Sequence, residues 1–169
     1  MKKGCNMFKT AIITISDKGS RGERIDGTGP AIQALLPSDL FEVTEYSMIP
    51  DDQALIEETL ITLSDSNNFD LILTNGGTGF SKRDVTPEAT INVVEKLTPG
   101  INEAMRLASL KITPKAMLSR SASGIRGNTL IINLPGSPKA ASENLAAILP
   151  ALPHGIEILI GSATECGSN

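Results

Sequence analysis

The chain of 169 residues has no tryptophan, one tyrosine (Tyr46), four phenylalanines and one histidine (His154), so its core must be aliphatic. With His154 set among prolines, the lack of a serine–histidine or cysteine–histidine pairing argues against covalent acyl chemistry, and a packing or surface role for His154 is preferred. Excess positive charge is also missing. The net charge is -4 with no basic stripe or arm, which argues against nucleic acid as a partner. An acidic protein can still hold a phosphorylated ligand, through backbone donors or a bridging cation. Cysteine is sparse: Cys5 and Cys166 stand near opposite ends without metal-ligand spacing, as free thiols of a reducing compartment or as one disulfide. No apolar run approaches the ~18–20 residues of a membrane span. The start MKKGCNMFKT lacks the long apolar stretch of a signal peptide. A soluble, cytoplasmic protein is expected.

What is present is alternation. FKTAIITIS (8–16), FEVTEYSMI (41–49) and FDLILT (69–74) read as strands, as does TLIINL (129–134). Helical patterns fall between them: PAIQALL from Pro30, DDQALIEETLITL from Asp51, a segment opening at Thr86-Pro87-Glu88, one near 100–111, and a final region from Ser137-Pro138 broken at Pro150 and Pro153. A further strand is expected near 117–121, ahead of the turn GIRGN (124–128). Strands alternating with helices predict a three-layer α/β/α sandwich around a mostly parallel sheet, and the GIRGN hairpin adds an antiparallel portion. No repeat or linker divides the chain, so 1–169 is expected to be one domain. The tail SATECGSN is polar and expected to fray.

Ligands of open α/β sheets bind beyond the carboxyl ends of the strands. Gly76, Gly77 and Gly79 stand at such an end, in LTNGGTGFSKRDVTPEAT. They admit two readings, a tight turn or a backbone cradle for an anion beside a helix start. A second strand end, LPGSPKA, repeats the plan with Pro135, Gly136 and Ser137. GGTGFSKRD is not a Walker loop, which needs lysine and a hydroxyl residue straight after its last glycine. GTGPAI (27–32) has Ile32 where a dinucleotide fingerprint needs its third glycine. Asp51, Asp52 and Asp84 lie at strand-to-helix junctions, where magnesium is commonly held by one or two carboxylates plus substrate phosphates. Asp51 and Asp52 could equally cap a helix, whereas Asp84 precedes the expected Thr86 cap. Glu88 is expected to serve the helix dipole. Lys82, Arg83 and Arg21 are either charge partners or solvated surface.

Together ISDKGSRGERIDGTGPA, IPDD, LTNGGTGFSKRDVTPEAT, LSRSASGIRGNTLIINLPGSPKA and PHGIEIL resemble the MogA/MoaB family of molybdenum-cofactor biosynthesis, with RDVTPEAT favouring the MogA branch and a likeness to the gephyrin G domain. The match runs in order from Ile12 to Gly161, with Asn75 where the family often has threonine. The resemblance implies a nucleotidyltransferase that moves AMP from MgATP to the terminal phosphate of molybdopterin. It implies Gly76, Gly77, Thr78 and Gly79 as a phosphate cradle, Asp51 and Asp84 as catalytic carboxylates organising Mg²⁺, and Ser119, Arg120, Pro135, Gly136 and Ser137 along the pterin and phosphate side. It further implies a homotrimer and a possible molybdenum-inserting partner. A noncatalytic pterin-binding module of the same fold is the rival.

Overall fold

The computed structural model describes residues 7–161. Cys5, Cys166 and the SATECGSN tail lie outside the described residues. Six strands form one sheet in the order β2-β1-β3-β6-β5-β4. The strands β1 (Phe8–Ile15), β2 (Phe41–Ile49), β3 (Leu71–Asn75) and β6 (Thr129–Leu134) run parallel. The strand β5 (Ser123–Arg126) turns back antiparallel to β6 at GIRGN, and the two-residue β4 (Lys96–Leu97) pairs antiparallel to β5. The expected three-layer sandwich with a mostly parallel sheet is what the chain forms.

Alternation along each strand sends side chains to two separate cores. Ile12, Leu71, Leu73, Leu130, Ile132 and Leu134 pack with α2 (Thr28–Leu35), α5 (Pro99–Leu110), α6 (Pro138–Ile148) and α7 (Leu152–Leu159) on one face. Ala11, Ile13, Ile72 and Ile131 meet α3 (Gln53–Asp65) and α4 (Thr86–Val93) on the other. The central strands β3 and β6 are buried at every position, as a sheet covered on both faces requires. Ile32, which breaks the dinucleotide fingerprint, is fully buried in the first core.

Two local expectations are corrected. Residues 117–121 are not a strand: Pro114–Leu118 make a 3-10 turn, and extended pairing begins at Ser123. Pro114, with no N–H to give a ladder, opens that turn, and Met117 and Leu118 project into solvent. Thr86 does not cap α4. Its amide donates to the Gly77 carbonyl (3.2 Å), which draws Thr86 into the first helical turn, and Val85 precedes it without a side-chain cap bond. Glu88 does stand in that first turn, but its carboxylate is ion-paired with Arg120.

Candidate functional site

At the carboxyl ends of β1 and β3 lies a cleft of about 400 Å³, lined by Asp51, Asn75, Gly76, Gly77, Asp84, Gly136 and Ser137 among others. Its floor depends on one turn. Gly76 and Gly77 have φ of 99° and 64°, a region that side chains disfavour. Gly76 also presses against the Ile15 carbonyl, leaving no room for a Cβ. The Gly76 amide donates to Leu134 O at 3.2 Å, tying the turn to β6, so it helps to build the cradle. The amides of Gly77, Thr78 and Gly79 have no protein partner among the described residues. Those three are free to bind an anion.

The carboxylates arrive from three elements. Asp51 follows β2 and Asp17 opens the short α1 (Asp17–Ser20) after β1; each backbone N–H donates to the other's carboxylate, at 2.9 and 3.1 Å. Asp52, not Asp51, caps α3, accepting from Leu55 N at 3.0 Å. The capping alternative thus holds for Asp52 and fails for Asp51. Arg83 grips Asp17 with both arms of its guanidinium, at 3.0 and 2.9 Å, and holds that carboxyl below the usual carboxylate range. Burial pushes the Asp51 carboxyl up, and the negative charges of Asp17 and Asp84 push the same way. Asp84 accepts from Ser81 N at 2.9 Å, which closes the SKRD turn and sets its carboxylate beside Gly79. Two carboxylates that repel each other beside free amides form a donor set that fits a divalent cation bridging to phosphate. No cluster of three or more His, Cys, Asp or Glu side chains capable of caging a metal occurs among the described residues.

Sequence reasoning missed Asp26. Its carboxylate accepts from Thr14 Oγ1 (2.5 Å), Tyr46 OH, Thr28 N (2.7 Å) and Gly29 N (3.2 Å). Burial works to raise this carboxyl, yet the hydrogen bonds outweigh it and hold it below the ordinary range. Asp26 therefore occupies the Thr28 and Gly29 amides at the start of α2, so those two amides are not open to an anion. The pattern D-G-T-G-P, an acid two residues ahead of a helix start, carried the signal.

A second cavity of about 280 Å³ opens on the other side of the glycine loop, with Thr78, Gly79, Arg106, Ser109, Ser119 and Pro135 in its wall. The anticipated site residues thus divide. Asp51, Gly76, Gly77, Asp84, Gly136 and Ser137 line the first space; Thr78, Gly79, Ser119 and Pro135 line the second. Arg120 lines neither and turns its guanidinium onto the Gly79 and Asp84 carbonyls. Arg21 pairs with Glu23, Arg83 with Asp17, Lys82 is exposed, and His154 stands exposed on α7.

Residues 11–154 match the model of the family described as "Probable molybdopterin binding domain". The chain belongs to this family. The MogA/MoaB resemblance seen in the motifs is thereby borne out. Over 153 residues the family member is 44% identical to a molybdopterin adenylyltransferase of Helicobacter pylori, covering 89% of this chain and 87% of the relative. It is 46% identical to gephyrin of Dictyostelium discoideum over 88% of this chain and 22% of that longer protein. The solved structure of the molybdopterin biosynthesis enzyme MoaB from Thermus thermophilus superposes with a TM-score of 0.87 at 51% identity, covering 92% of this chain and 98% of that one.

Proposed function

We propose that this chain is a molybdopterin adenylyltransferase, joining the terminal phosphate of molybdopterin to the α-phosphorus of ATP and releasing pyrophosphate. The observation that carries the reading is the shared wall. One glycine loop separates a carboxylate-bearing cleft from a second cavity, so two phosphorylated ligands, one in each, would bring their phosphates to the same free amides. The attacking group is already an anion and needs no protein base. As its oxygen bonds to the α-phosphorus, the bond to the leaving pyrophosphate breaks and carries the electron pair away.

Catalysis then rests on positioning and on neutralising charge. The amides of Gly77, Thr78 and Gly79 hold phosphate oxygens, and Gly136 and Ser137 close the nucleotide side. Ser119 and Thr78 face the pterin side. Asp51 and Asp84 would hold Mg²⁺, which supplies positive charge against the phosphate chain. Asp17 and Arg83 keep Asp51 in place; Arg83 does so from the surface as a charge partner, one of the two readings its sequence admitted. A homotrimeric state and a cytoplasmic setting belong to the same proposal.

Incubation with molybdopterin and MgATP, with pyrophosphate and adenylylated pterin as readouts, tests it. Asp84→Asn should fold and lose about 10²-fold in turnover, and Asp51→Asn somewhat less. Unchanged turnover in Asp84→Asn would remove the carboxylate from the mechanism. Pterin binding without pyrophosphate release in the wild type would leave a binding module instead.

A further inference from the structure

Ser119 and Arg120 are neighbours in sequence, yet the structure separates their tasks. Ser119 faces the second cavity, whereas all three guanidinium nitrogens of the half-buried Arg120 bond to protein groups. Nε donates to the Gly79 carbonyl (2.7 Å), one terminal nitrogen donates to the Asp84 carbonyl (2.7 Å), and the other meets the Glu88 carboxylate. The Arg120 amide adds a bond to Thr78 O at 2.9 Å. The segment from Thr78 to Asp84 is thus gripped at both ends by one residue, and the grip is anchored on α4 through Glu88.

That segment is the wall between the two cavities, and it carries the Asp84 carboxylate. Among the described residues, the only bond that sets the carboxylate itself is the one from Ser81 N, within the same loop. The span from Phe80 to Arg83 is exposed and contributes little packing of its own. Its other outside tie is the exposed Arg83–Asp17 pair, so without Arg120 the Thr78–Gly79 end would lose its anchor, and Asp84 and the free amides of the loop would shift together. A guanidinium suits the restraint because its planar fork reaches two carbonyls and a carboxylate at once, which a lysine ammonium on its flexible stem does not reproduce.

We infer that Arg120 is a positioning residue: it does not contact either ligand but fixes the 78–84 loop, and through it Asp84, as the common wall of the two ligand spaces. This rests on the adenylyltransferase reading for its kinetic arm only. The test compares wild type, Arg120→Lys, Asp84→Asn and the double variant in the full chain. Arg120→Lys should lower kcat by roughly ten- to a hundred-fold, as small misplacements of reacting groups do, with KM for both substrates changed by less than about three-fold. The double variant should lose clearly less than the product of the two single losses, because Arg120 acts in part through Asp84.

Without any ligand, hydrogen exchange should quicken at residues 78–84 in Arg120→Lys while the rest of the sheet keeps its protection. Should Arg120→Lys fail to fold, Glu88→Gln loosens the same clamp and should move the exchange and kcat in the same direction by less. A rise in KM at unchanged kcat would make Arg120 a ligand contact and overturn the inference. So would exchange that quickens everywhere or nowhere, or a double variant with fully additive losses. An inactive wild type would sink the proposed reaction and leave the exchange result to judge the clamp by itself.

Discussion

The two glycine-bearing strand ends read alike in sequence, and the molecule builds them on different principles. After β3, Gly76 and Gly77 take left-handed backbone angles, and a long loop leads to α4, which has no side-chain cap. After β6, Gly136 has no such angle, the turn is short, and Ser137 caps α6 by accepting from Ala140 N at 3.2 Å. The first turn needs glycine for its backbone; the second needs a small residue because a Cβ on Gly136 would lie 3.2 Å from Gly76 Cα. A strand-turn-helix pattern with glycine therefore names a place in the fold without saying which force shapes it. The sharpest way to expose the difference is Gly76→Ala against Gly136→Ala. The first combines a disfavoured backbone with a Cβ driven at the Ile15 carbonyl, and should cost on the order of 3 kcal/mol. The second should stay within about 1 kcal/mol, since the loss of room is slight and partly offset by a stiffer unfolded chain. Urea unfolding measures both. Equal losses would mean that the turns are built the same way after all.

The second turn is held from outside. Thr28 Oγ1 donates to the Gly136 carbonyl at 2.8 Å, and Thr28 is itself fixed by Asp26. Asp26→Asn should therefore loosen the second turn and spare the first, lowering stability at neutral pH by about 1–2 kcal/mol, the low side of what hydrogen bonds to a charged group supply because Asp26 is only half-buried. The sign with pH follows from its depressed folded-state titration. The wild-type advantage is fully present above the ordinary aspartate value near ~3.9 and is lost as pH falls through the lower folded value. Unfolding curves at pH 7 and at about pH 3 should show the gap closing at acid pH. A gap independent of pH would assign the effect to shape and not to charge.

This difference also explains what could be read in advance. The parallel core strands were legible because β-branched runs buried on both faces leave little choice, as 129–134 and 8–15 show. The placement of Asp51, Asp84 and both glycine turns was legible because motif and topology agree on the carboxyl end of the sheet. Arg120 was not legible in its observed role, and Asp26 only in part, since D-G-T-G-P signals its bonds to Thr28 and Gly29 alone. Each acts through bonds to residues distant in sequence, Arg120 to Gly79, Asp84 and Glu88, and Asp26 to Thr14 and Tyr46. A charged side chain near a glycine motif suggests a ligand contact, and only the folded geometry shows which protein groups it already holds. The same limit misplaced the strand at 117–121, where local apolar character outweighed the proline before it.

The smallest expected effects separate the two helix starts. Ser137→Ala removes the only side-chain cap bond on α6 and should cost about 1 kcal/mol, read as a lowered urea midpoint with an unchanged slope. Thr86→Val should do almost nothing to stability. Its hydroxyl is buried beside Gly77 with no partner among the described residues, and replacing an unbonded hydroxyl by a methyl of the same shape is close to neutral, within about 0.5 kcal/mol. Thr86 reads as a cap in sequence and Ser137 is one in the structure, so the pair tests capping by hydrogen bond and not by residue type. If Thr86→Val destabilised as much as Ser137→Ala, the α4 start would have to draw support from that hydroxyl, and the contrast between the two turns would narrow to their backbone angles alone.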